Sequence, residues 1–420
     1  MSLSDWLSRL ERLHFKAIDM GLERIRAVAV ALGLFTNPPF VFTVAGTNGK
    51  GSTVAILDQL LRRGGYRTGC YTSPHLVHFN ERVCINGQCC NDAELIAAFE
   101  AVEAARSGIS LTYFEFTTLA AIWLFQRRDL DAWVLEVGLG GRLDAVNLWD
   151  PDVAVVTSIA LDHQAWLGDT RSAIGLEKIG IGRGGRPLVL GEPDVPEAVR
   201  QQARTMGCQI LALGQDFNFQ SDAESWHCQL RAGDGQRTEL RNLPRPELYL
   251  QNAVTALQAL ALSPFQLDRD TLERGLNLAT LPGRRQLLHR DPDLMLDVGH
   301  NPHAADALAR HLRAAGYQRV NCVLGMLSDK DVINTVMPLL DVVDRWYPVA
   351  LATDRALAPA GLQRTLLELG ACSDAPAPAA HRAVKRLLAE VHSGELVLVF
   401  GSFYTVADVI QYGDLEPAKG

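Results

Sequence analysis

The stretch Val41-Phe-Thr-Val-Ala-Gly-Thr-Asn-Gly-Lys-Gly-Ser-Thr53 joins a short apolar run to a glycine-rich loop. A helical pattern of apolar residues follows directly, over residues 54–61. A strand, a glycine loop and a helix N-terminus in this order present backbone N–H groups and a positive helix end to an anion, and Lys50 adds a point charge. The stretch therefore predicts a phosphate-binding loop rather than an ordinary glycine-rich turn.

The glycine spacing of this loop differs from the general phosphate-loop pattern. That pattern has its first glycine about five positions before the Gly-Lys pair, and a Ser or Thr directly after the lysine. Here Gly46 lies only three positions before Gly49, and Gly51 separates Lys50 from Ser52. The spacing indicates a particular subtype of nucleotide-binding loop.

The composition of the chain limits its class and its partners. A length of 420 residues exceeds one typical core and predicts two domains. The net charge of −8 argues against a nucleic-acid partner, because phosphate neutralisation needs a basic face. No apolar stretch is long enough for a membrane span, and the first residues lack a signal-peptide pattern. We expect a cytoplasmic monomer without a membrane partner.

The eight cysteines are scattered and show no Cys-x-x-Cys spacing. The adjacent pair Cys89-Cys90 suits neither a structural zinc site nor a disulfide framework. We therefore expect reduced thiols.

Apolar strand-like runs alternate with amphipathic stretches of helix length, which predicts an α/β fold with parallel sheets covered by helices. The predicted strands cover residues 41–45, 66–71, 132–135, 153–158, 187–190, 294–298, 319–325, 342–349 and 396–400. The predicted helices cover residues 53–63, 92–106, 116–128, 248–262, 303–315, 361–369 and 381–391.

Two regions interrupt this alternation. Between residues 208 and 243 the pattern weakens, as in a small antiparallel excursion or a long surface insertion. Helical sequence stops at Leu281-Pro-Gly-Arg284, which predicts a domain border there. The expected domains are residues 1–284 and 285–420.

Polar residues follow several predicted strands, where open parallel sheets bind their ligands. Ser73 follows the second strand, Glu136 ends the third, and His163 follows the fourth, with Lys178 further along. The oxygen atoms of Ser73 and Glu136 suit Mg²⁺. For His163, a role as a metal ligand and a role as a capping or core histidine are equally good interpretations. For Glu136, the alternative to a metal ligand is a paired structural carboxylate.

The second half carries a similar strand end, Asp297-Val-Gly-His300-Asn-Pro-His303. Asp297 and His300 could face a ligand, and the alternative is a carboxylate that caps the next helix. Asn252 and Arg284 have no local signature, so a structural role is the simpler interpretation of each.

The ordered motifs of the chain resemble one family. They are Gly46-Thr-Asn-Gly-Lys-Gly-Ser52, Ser73-Pro-His-Leu76, Glu136-Val-Gly-Leu-Gly-Gly-Arg-Leu-Asp144, Leu161-Asp-His163, Leu281-Pro-Gly-Arg284 and Asp297-Val-Gly-His-Asn-Pro302. The set resembles the folylpolyglutamate synthase/dihydrofolate synthase family of the Mur ligase superfamily. The resemblance implies an ATP-dependent amide ligase, with a phosphate-loop, parallel-sheet N-terminal domain and a smaller Rossmann-like C-terminal domain.

The resemblance also implies roles for single residues. Those expected to bind ATP are Asn48, Gly49, Lys50, Gly51, Ser52, Asn252, Arg284 and Asp297. Those expected to hold two magnesium ions are Ser73, Glu136, His163 and Lys178. Lys178 matches a lysine that the family carbamylates with CO₂, which would turn a repelling cation into a metal ligand. His300 would contact the amino acid or phosphate. The residues expected to be catalytic are Lys50, His163, Lys178 and His300.

Three further segments match the family's pterin site. They are Asp19-Met20-Gly21-Leu22, Thr112-Tyr113-Phe114-Glu115 and Leu143-Asp144-Ala145. These segments favour a bifunctional enzyme that uses dihydropteroate, reduced folates and L-glutamate. The stretch Ile179-Gly-Ile-Gly-Arg183 departs from the family, which more often has Ala and Phe near the lysine.

Three alternatives stay open. The chain could be a folylpolyglutamate synthase only, or a Mur-type amino-acid ligase. The latter is disfavoured because 45 residues before Gly46 are too few for a UDP-sugar domain. A non-enzymatic nucleotide switch is the third.

Overall fold

The computed structural model describes residues 1–16, 18–222, 225–289 and 291–413. The chain divides into two compact units, Met1–Ala279 and Thr280–Gly420. The border that the sequence predicts, after Arg284, falls inside the second unit.

The large sheet of the first unit carries the phosphate loop. Its strands are β1 (Phe40–Ala45), β2 (Thr68–Tyr71), β3 (Val83–Ile85), β4 (Gln88–Cys89), β5 (Ala132–Glu136), β6 (Val153–Val156), β7 (Pro187–Leu190) and β8 (Gln209–Ala212). Their order is β4-β3-β2-β5-β1-β6-β7-β8, and the six strands from β2 to β8 in this order are parallel. This confirms the predicted α/β class. Because β1, β5 and β6 are apolar and buried on both faces, they form the centre of the sheet.

Ten helices are described in the first unit. They are α1 (Leu3–Leu10), α2 (Glu23–Ala31), α3 (Lys50–Arg63), α4 (Asp92–Arg106), α5 (Tyr113–Phe125), α6 (Gln164–Leu167), α7 (Arg171–Ile179), α8 (Glu197–Thr205), α9 (Leu250–Ala261) and α10 (Arg269–Leu278). Short 3₁₀ turns occur at Phe79–Arg82 and Ala145–Leu148. One core cluster lies among α1, α2, α4 and α5, and another lies among β6, β7, α7 and α8.

The region between residues 208 and 243 is mostly an antiparallel sheet, as one of the two alternatives predicted. It contains β9 (Asn218–Ser221), β10 (Ser225–Arg231) and β11 (Arg237–Pro244), in the order β11-β10-β9. Its first residues differ, because they form β8, which pairs in parallel with β7 at the edge of the large sheet.

The second unit is a smaller α/β layer. Its strands are β12 (Gln286–His289), β13 (Asp293–Asp297), β14 (Arg319–Leu324), β15 (Arg345–Pro348) and β16 (Glu395–Phe400). Its helices are α11 (Pro302–Ala315), α12 (Val332–Val336), α13 (Pro359–Glu368), α14 (Ala380–Glu390) and α15 (Phe403–Tyr412), with a 3₁₀ turn at Met337–Leu339. The order is β12-β13-β16-β14-β15, and only β12 is antiparallel to its neighbour.

Across the described ranges, no helix has both the length and the apolar character that crossing a bilayer requires.

Candidate active site

The phosphate loop connects β1 to the first turn of α3, and two of its glycines are sterically required. Gly46 has φ +154°, and a Cβ atom there would lie 1.9 Å from the Thr157 hydroxyl oxygen. Gly49 immediately precedes α3 with φ +85°, in the left-handed region. The loop therefore needs glycine for close approach at one position and for backbone conformation at the other.

The end of β6 holds the loop in place. The hydroxyl groups of Thr157 and Ser158 donate to the Asn48 carbonyl oxygen at 2.6 and 3.0 Å. The Asn48 N–H donates to Ser158 Oγ at 3.0 Å, and the Thr47 N–H donates to the Ser158 carbonyl at 2.8 Å. Neither Thr157 nor Ser158 has a role predicted from the sequence, although both end a predicted strand beside the loop.

Lys50 and Lys178 lie in one small pocket at the ends of the central strands. The pocket is lined by Gly46, Thr47, Lys50, Val137, Gly138, Leu139, Gly140, Asp162, His163, Leu167 and Lys178. The Nζ atom of Lys50 donates to the Gly46 carbonyl oxygen at 3.0 Å, which places its charge over the loop.

Lys178 lies in the last turn of α7 and is buried. Burial lowers the pKa of Lys178 to about 7, and the positive charge of Lys50 contributes to the same shift. A large fraction of the Lys178 amine is therefore neutral near pH 7, which is the nucleophilic form of an amine.

Glu136 and Ser73 meet across β5 and β2. The Ser73 N–H donates to Glu136 Oε2 at 3.0 Å, and the Glu136 side chain is buried at the end of β5. A buried carboxylate beside a hydroxyl-bearing residue supplies the hard oxygen donors that a magnesium ion prefers, so these residues fit such an ion.

His163 occupies the position before α6 with φ +52°, and its side chain lines the pocket. The His163 N–H donates to Asp162 Oδ1 at 2.9 Å. A positive φ is uncommon for a residue other than glycine. The turn that brings His163 to the pocket therefore carries some backbone strain.

Asn252 lies in the first turn of α9 and contacts the phosphate loop. A Cβ atom at Gly49 would lie 2.4 Å from Asn252 Oδ1. The fold therefore brings Asn252, which has no local sequence signature, to the phosphate loop.

The segments predicted for the pterin are joined by Arg24. Arg24 Nη1 lies 2.8 Å from Asp19 Oδ2, and Nη2 donates to Glu115 Oε1 at 3.1 Å. Glu115 is buried and also accepts from the Thr112 N–H at 2.7 Å. Arg24 thus links residues 19–22 with residues 112–115. Tyr113 in the second segment packs against the Arg82 guanidinium, 5.5 Å from its ring centroid.

The glycine loop after β5 packs between these segments and Lys178. A Cβ atom at Gly138 would lie 2.6 Å from the Phe114 ring, and one at Gly140 would lie 3.6 Å from Met20 Cε. A Cβ atom at Gly141 would lie 2.8 Å from the Lys178 carbonyl oxygen. These contacts bring the predicted pterin segments and the lysine to one loop.

Asp144 organises the same loop from inside. It is buried and accepts from the N–H groups of Leu139 and Val146, each at 2.9 Å. Burial raises the pKa of Asp144 to about 7. Leu143 and Ala145 flank it, and Ala145 begins a 3₁₀ turn.

A second group of predicted residues lies in the second unit. Asp297 is buried at the end of β13 and accepts from the N–H groups of Gly299 and Arg285 at 2.7 and 3.1 Å. Burial raises the pKa of Asp297, while the nearby Arg284 opposes the shift. Asn301 caps α11 through the Ala304 N–H at 3.0 Å, so the capping role considered for Asp297 is wrong.

Two aromatic contacts fix the neighbouring side chains of the second unit. The Arg284 guanidinium lies 5.0 Å from the Phe403 ring centroid, and the His300 ring lies 6.2 Å from the same ring. His300 Nδ1 lies 2.9 Å from the Val298 carbonyl oxygen, which assigns the proton to Nδ1 and leaves Nε2 as an acceptor when the ring is neutral.

An ion-pair network that the sequence did not indicate supports the His163 loop. Arg171 donates to the Ile159 carbonyl oxygen at 2.7 Å and to Glu192 Oε1 at 2.9 Å. Glu192 is buried and accepts from the Ile159 N–H at 3.0 Å. The network joins the first turn of α7 to the segment that carries Asp162 and His163.

Comparison with known proteins defines the class of this protein. The family model described as "Mur ligase, glutamate ligase domain" matches residues 283–403. Together with the parallel sheet and the phosphate loop, this match defines an ATP-dependent ligase of the Mur ligase type.

Relatives over the whole length narrow the class to one family. The chain is 44% identical over 419 residues to the dihydrofolate synthase/folylpolyglutamate synthase of Escherichia coli strain K12, covering 100% of this chain and 97% of the relative. It is 44% identical to Escherichia coli FolC solved in complex with DHPP and ADP, with a TM-score of 0.93 and coverage of 98% and 97%. It is 43% identical to a bifunctional folylpolyglutamate synthase/dihydrofolate synthase solved with Mn, AMPPNP and L-glutamate, with a TM-score of 0.89 and 98% coverage of each chain. The chain belongs to the bifunctional dihydrofolate synthase/folylpolyglutamate synthase family.

Proposed function

We propose that this protein joins L-glutamate to dihydropteroate, forming dihydrofolate, and to the γ-carboxylate of reduced folates, forming polyglutamates. The observation that carries the proposal is the glycine loop at the N-terminus of α3, with Lys50, Glu136 and Lys178 beside it. The full-length relatives support it, since they are solved with ADP and DHPP or with AMPPNP, Mn and L-glutamate.

The reaction proceeds in two steps. A carboxylate oxygen of the pterin or folate substrate attacks the γ-phosphorus of ATP, and the bond to the ADP oxygen breaks. The deprotonated amine of glutamate then attacks the carbonyl carbon of the acyl phosphate, which releases inorganic phosphate and leaves an amide. Lys50 and the N–H groups of the Asn48–Ser52 loop stabilise negative charge on the phosphoryl group during the first step.

We propose that Ser73, Glu136, His163 and a carbamylated Lys178 hold two magnesium ions. When bound, the ions would neutralise charge on the phosphate oxygens. The contact between Ser73 and the buried Glu136 supports this assignment, because it brings a carboxylate and a hydroxyl-bearing residue, both oxygen donors, to one place.

The carbamate of Lys178 rests on the neutral amine. The lowered pKa makes the lysine nitrogen available to attack CO₂, which forms an N–C bond and releases a proton. The product is a carboxylate, which attracts the positive charge of Lys50 instead of repelling it as a protonated lysine would. With ¹³C-bicarbonate we expect a carbamate carbon resonance that is lost in Lys178→Arg and kept in Lys385→Arg, which changes an exposed lysine of α14. A spectrum of the wild-type protein without this resonance would contradict the carbamate.

We propose that the pterin ring binds near the loop formed by Gly138–Gly141. Met20 and Phe114 approach this loop, and Asp144 accepts from its Leu139 N–H. Arg24 joins the segment of Asp19 to the segment of Glu115. In the second unit, Arg284 and Asp297 are proposed to contact ATP, and His300 is proposed to contact the amino acid or phosphate.

We further propose that the protein acts as a cytoplasmic monomer without nucleic-acid partners. The net charge of −8 supports the last point, since a nucleic-acid site needs a basic face. Light scattering on the purified chain would give the mass of one copy.

The function is tested by ADP release with MgATP, dihydropteroate and L-glutamate, each omitted in turn. We expect release to require all three, and turnover that ignores glutamate would refute a ligase. Activity with reduced folate but not with dihydropteroate would leave a folylpolyglutamate synthase only.

Lys50→Ala should lower kcat by a factor of about 10²–10³. The control Arg63→Ala, at the exposed far end of α3, should keep it unchanged.

A further inference from the structure

The hairpin of β3 and β4 at the edge of the large sheet carries two facing thiols. The strands are joined by Asn86 and Gly87, both with positive φ, as a two-residue hairpin turn requires. Cys84 and Cys89 are directly opposite each other in the register, and their Sγ atoms are 3.1 Å apart.

The position of this pair in the ladder suits a covalent bond. The Cys90 N–H donates to the Val83 carbonyl oxygen at 2.9 Å, so the next pair along the ladder is the hydrogen-bonded one. Cys84 and Cys89 therefore form a non-hydrogen-bonded pair, in which the Cα atoms lie about 4.5 Å apart. That separation is within the range of about 4.4–6.8 Å seen for disulfides.

The two thiols differ in access. Cys89 is exposed and Cys84 is half-buried. The neighbouring thiols are both buried: Cys70 lies opposite Cys84 on β2, and Cys90 follows Cys89 in the sequence. Burial raises the pKa of the Cys84 thiol, so Cys84 stays protonated while an external reagent meets Cys89 first. The described residues contain no cluster of three or more His, Cys, Asp or Glu side chains arranged for a metal ion, which favours thiol chemistry over a metal site here.

We propose that Cys84 and Cys89 form a reversible dithiol–disulfide site whose co-substrate is a small-molecule disulfide of the glutathione class. The Cys89 thiolate attacks one sulfur of the disulfide, and the other sulfur leaves as a thiol after taking up a proton. The Cys84 thiol then loses its proton to solvent, and the resulting thiolate attacks Cys89 Sγ in the mixed disulfide. The second small thiolate is expelled and takes up a proton. Two protein thiols are oxidised and one small disulfide is reduced to two thiols.

The reduced chain of 420 residues is incubated with oxidised glutathione, and the remaining thiols are then alkylated in denaturant. We expect six of the eight cysteines to be alkylated. The tryptic peptide that follows Arg82 contains Cys84, Cys89 and Cys90, and it should lose two hydrogen masses and carry one alkyl group, on Cys90. Dithiothreitol should restore full alkylation.

Matched variants separate this pair from its neighbours. Cys84→Ser and Cys89→Ser should each abolish the internal disulfide. Cys90→Ser should keep it, although Cys90 is adjacent in sequence to Cys89, and so should Cys372→Ser, which changes an exposed thiol of the second unit. A stable mixed disulfide on Cys89 with Cys84 still alkylated, or a bond between Cys89 and Cys90, would overturn the proposal.

Discussion

Gly49 and Asn252 are in such close contact that a Cβ atom on residue 49 would lie 2.4 Å from the Asn252 side-chain oxygen. The two residues are far apart in the sequence. Gly49 immediately precedes α3, and Asn252 lies in the first turn of α9. The phosphate loop therefore has its shape fixed by α9 as well as by its own glycines. Any side chain at residue 49 must displace Asn252 or distort the loop.

Gly49→Ala is expected to abolish nucleotide binding. The new methyl group would meet Asn252 Oδ1, and the φ of +85° disfavours any residue with a Cβ atom. Binding of ADP measured by calorimetry reports the effect.

Gly65→Ala is the matched control, because Gly65 has φ +83° and a Cβ atom added there would meet no other atom within 4 Å. It should lose about 1–2 kcal/mol of stability and keep ADP binding. Equal losses of affinity in both variants would show a general effect of destabilisation and would contradict a specific role of the contact between Gly49 and Asn252.

Arg24→Gln is expected to raise the KM for dihydropteroate. The variant removes the ion pairs from Asp19 and from the buried Glu115, which together join two of the proposed pterin segments. Loss of these charged hydrogen bonds should also cost about 1–3 kcal/mol of stability. Steady-state kinetics with dihydropteroate and then ATP as the varied substrate show whether the KM for the pterin or the KM for ATP has changed.

Arg26→Gln is the control for Arg24, since Arg26 lies on the same helix and is exposed. It should leave both KM values unchanged. An Arg24→Gln variant whose KM rises for ATP but not for dihydropteroate would contradict the placing of the pterin beside these segments.

Lys178 should make stability depend on pH in a defined direction. Its pKa in the folded protein is about 7, below the ordinary value of 10.5. Between these two pH values the unfolded chain keeps a proton that the folded chain has released, so the free energy of unfolding rises with pH. Below about pH 7 both states carry the proton and this contribution no longer varies with pH.

The Lys178→Met variant should lack this contribution. In CO₂-free buffer, the urea midpoint of the wild-type protein should rise between about pH 7 and pH 9, and the rise should be smaller in Lys178→Met. The difference corresponds to at most about 1.4 kcal/mol per pH unit. Lys385→Met, on the exposed surface, should follow the wild type. Identical pH dependence in all three proteins would show that Lys178 titrates normally.

Much of the fold follows from local sequence, because alternation of apolar runs reports which segments are buried. All nine predicted strands and all seven predicted helices are present, with ends that differ by a few residues. The prediction missed α1, α2 and α7, among other helices, since each has only eight or nine residues, too few turns for a repeating pattern to stand out. It also missed the β3–β4 hairpin, whose strands have three and two residues.

The site was predictable where a motif marks it and not where distant residues form it. The loop Gly46–Ser52 follows the apolar strand β1, and Glu136 is the last residue of the apolar strand β5. Their common position at the carboxyl ends of the strands follows from the parallel topology. Arg24 and Glu115 are separated by 91 positions, and nothing in either local sequence indicates that they pair. Ion pairs of this kind depend on the packing of α2 against α5, which only the tertiary structure shows.

Glu192→Ala is expected to lower kcat while leaving the KM for dihydropteroate unchanged. Glu192 accepts from the Ile159 N–H and pairs with Arg171, so its loss releases the segment that leads to Asp162 and His163 at the pocket. Glu192→Gln keeps an acceptor oxygen for the Ile159 N–H and should recover part of kcat, which a general loss of stability would not explain. The control is Glu197→Ala, which removes an exposed ion pair with Arg204 and should keep wild-type kinetics. If Glu192→Ala instead raised the KM for dihydropteroate at constant kcat, the network would act on the pterin segments and not on the His163 loop.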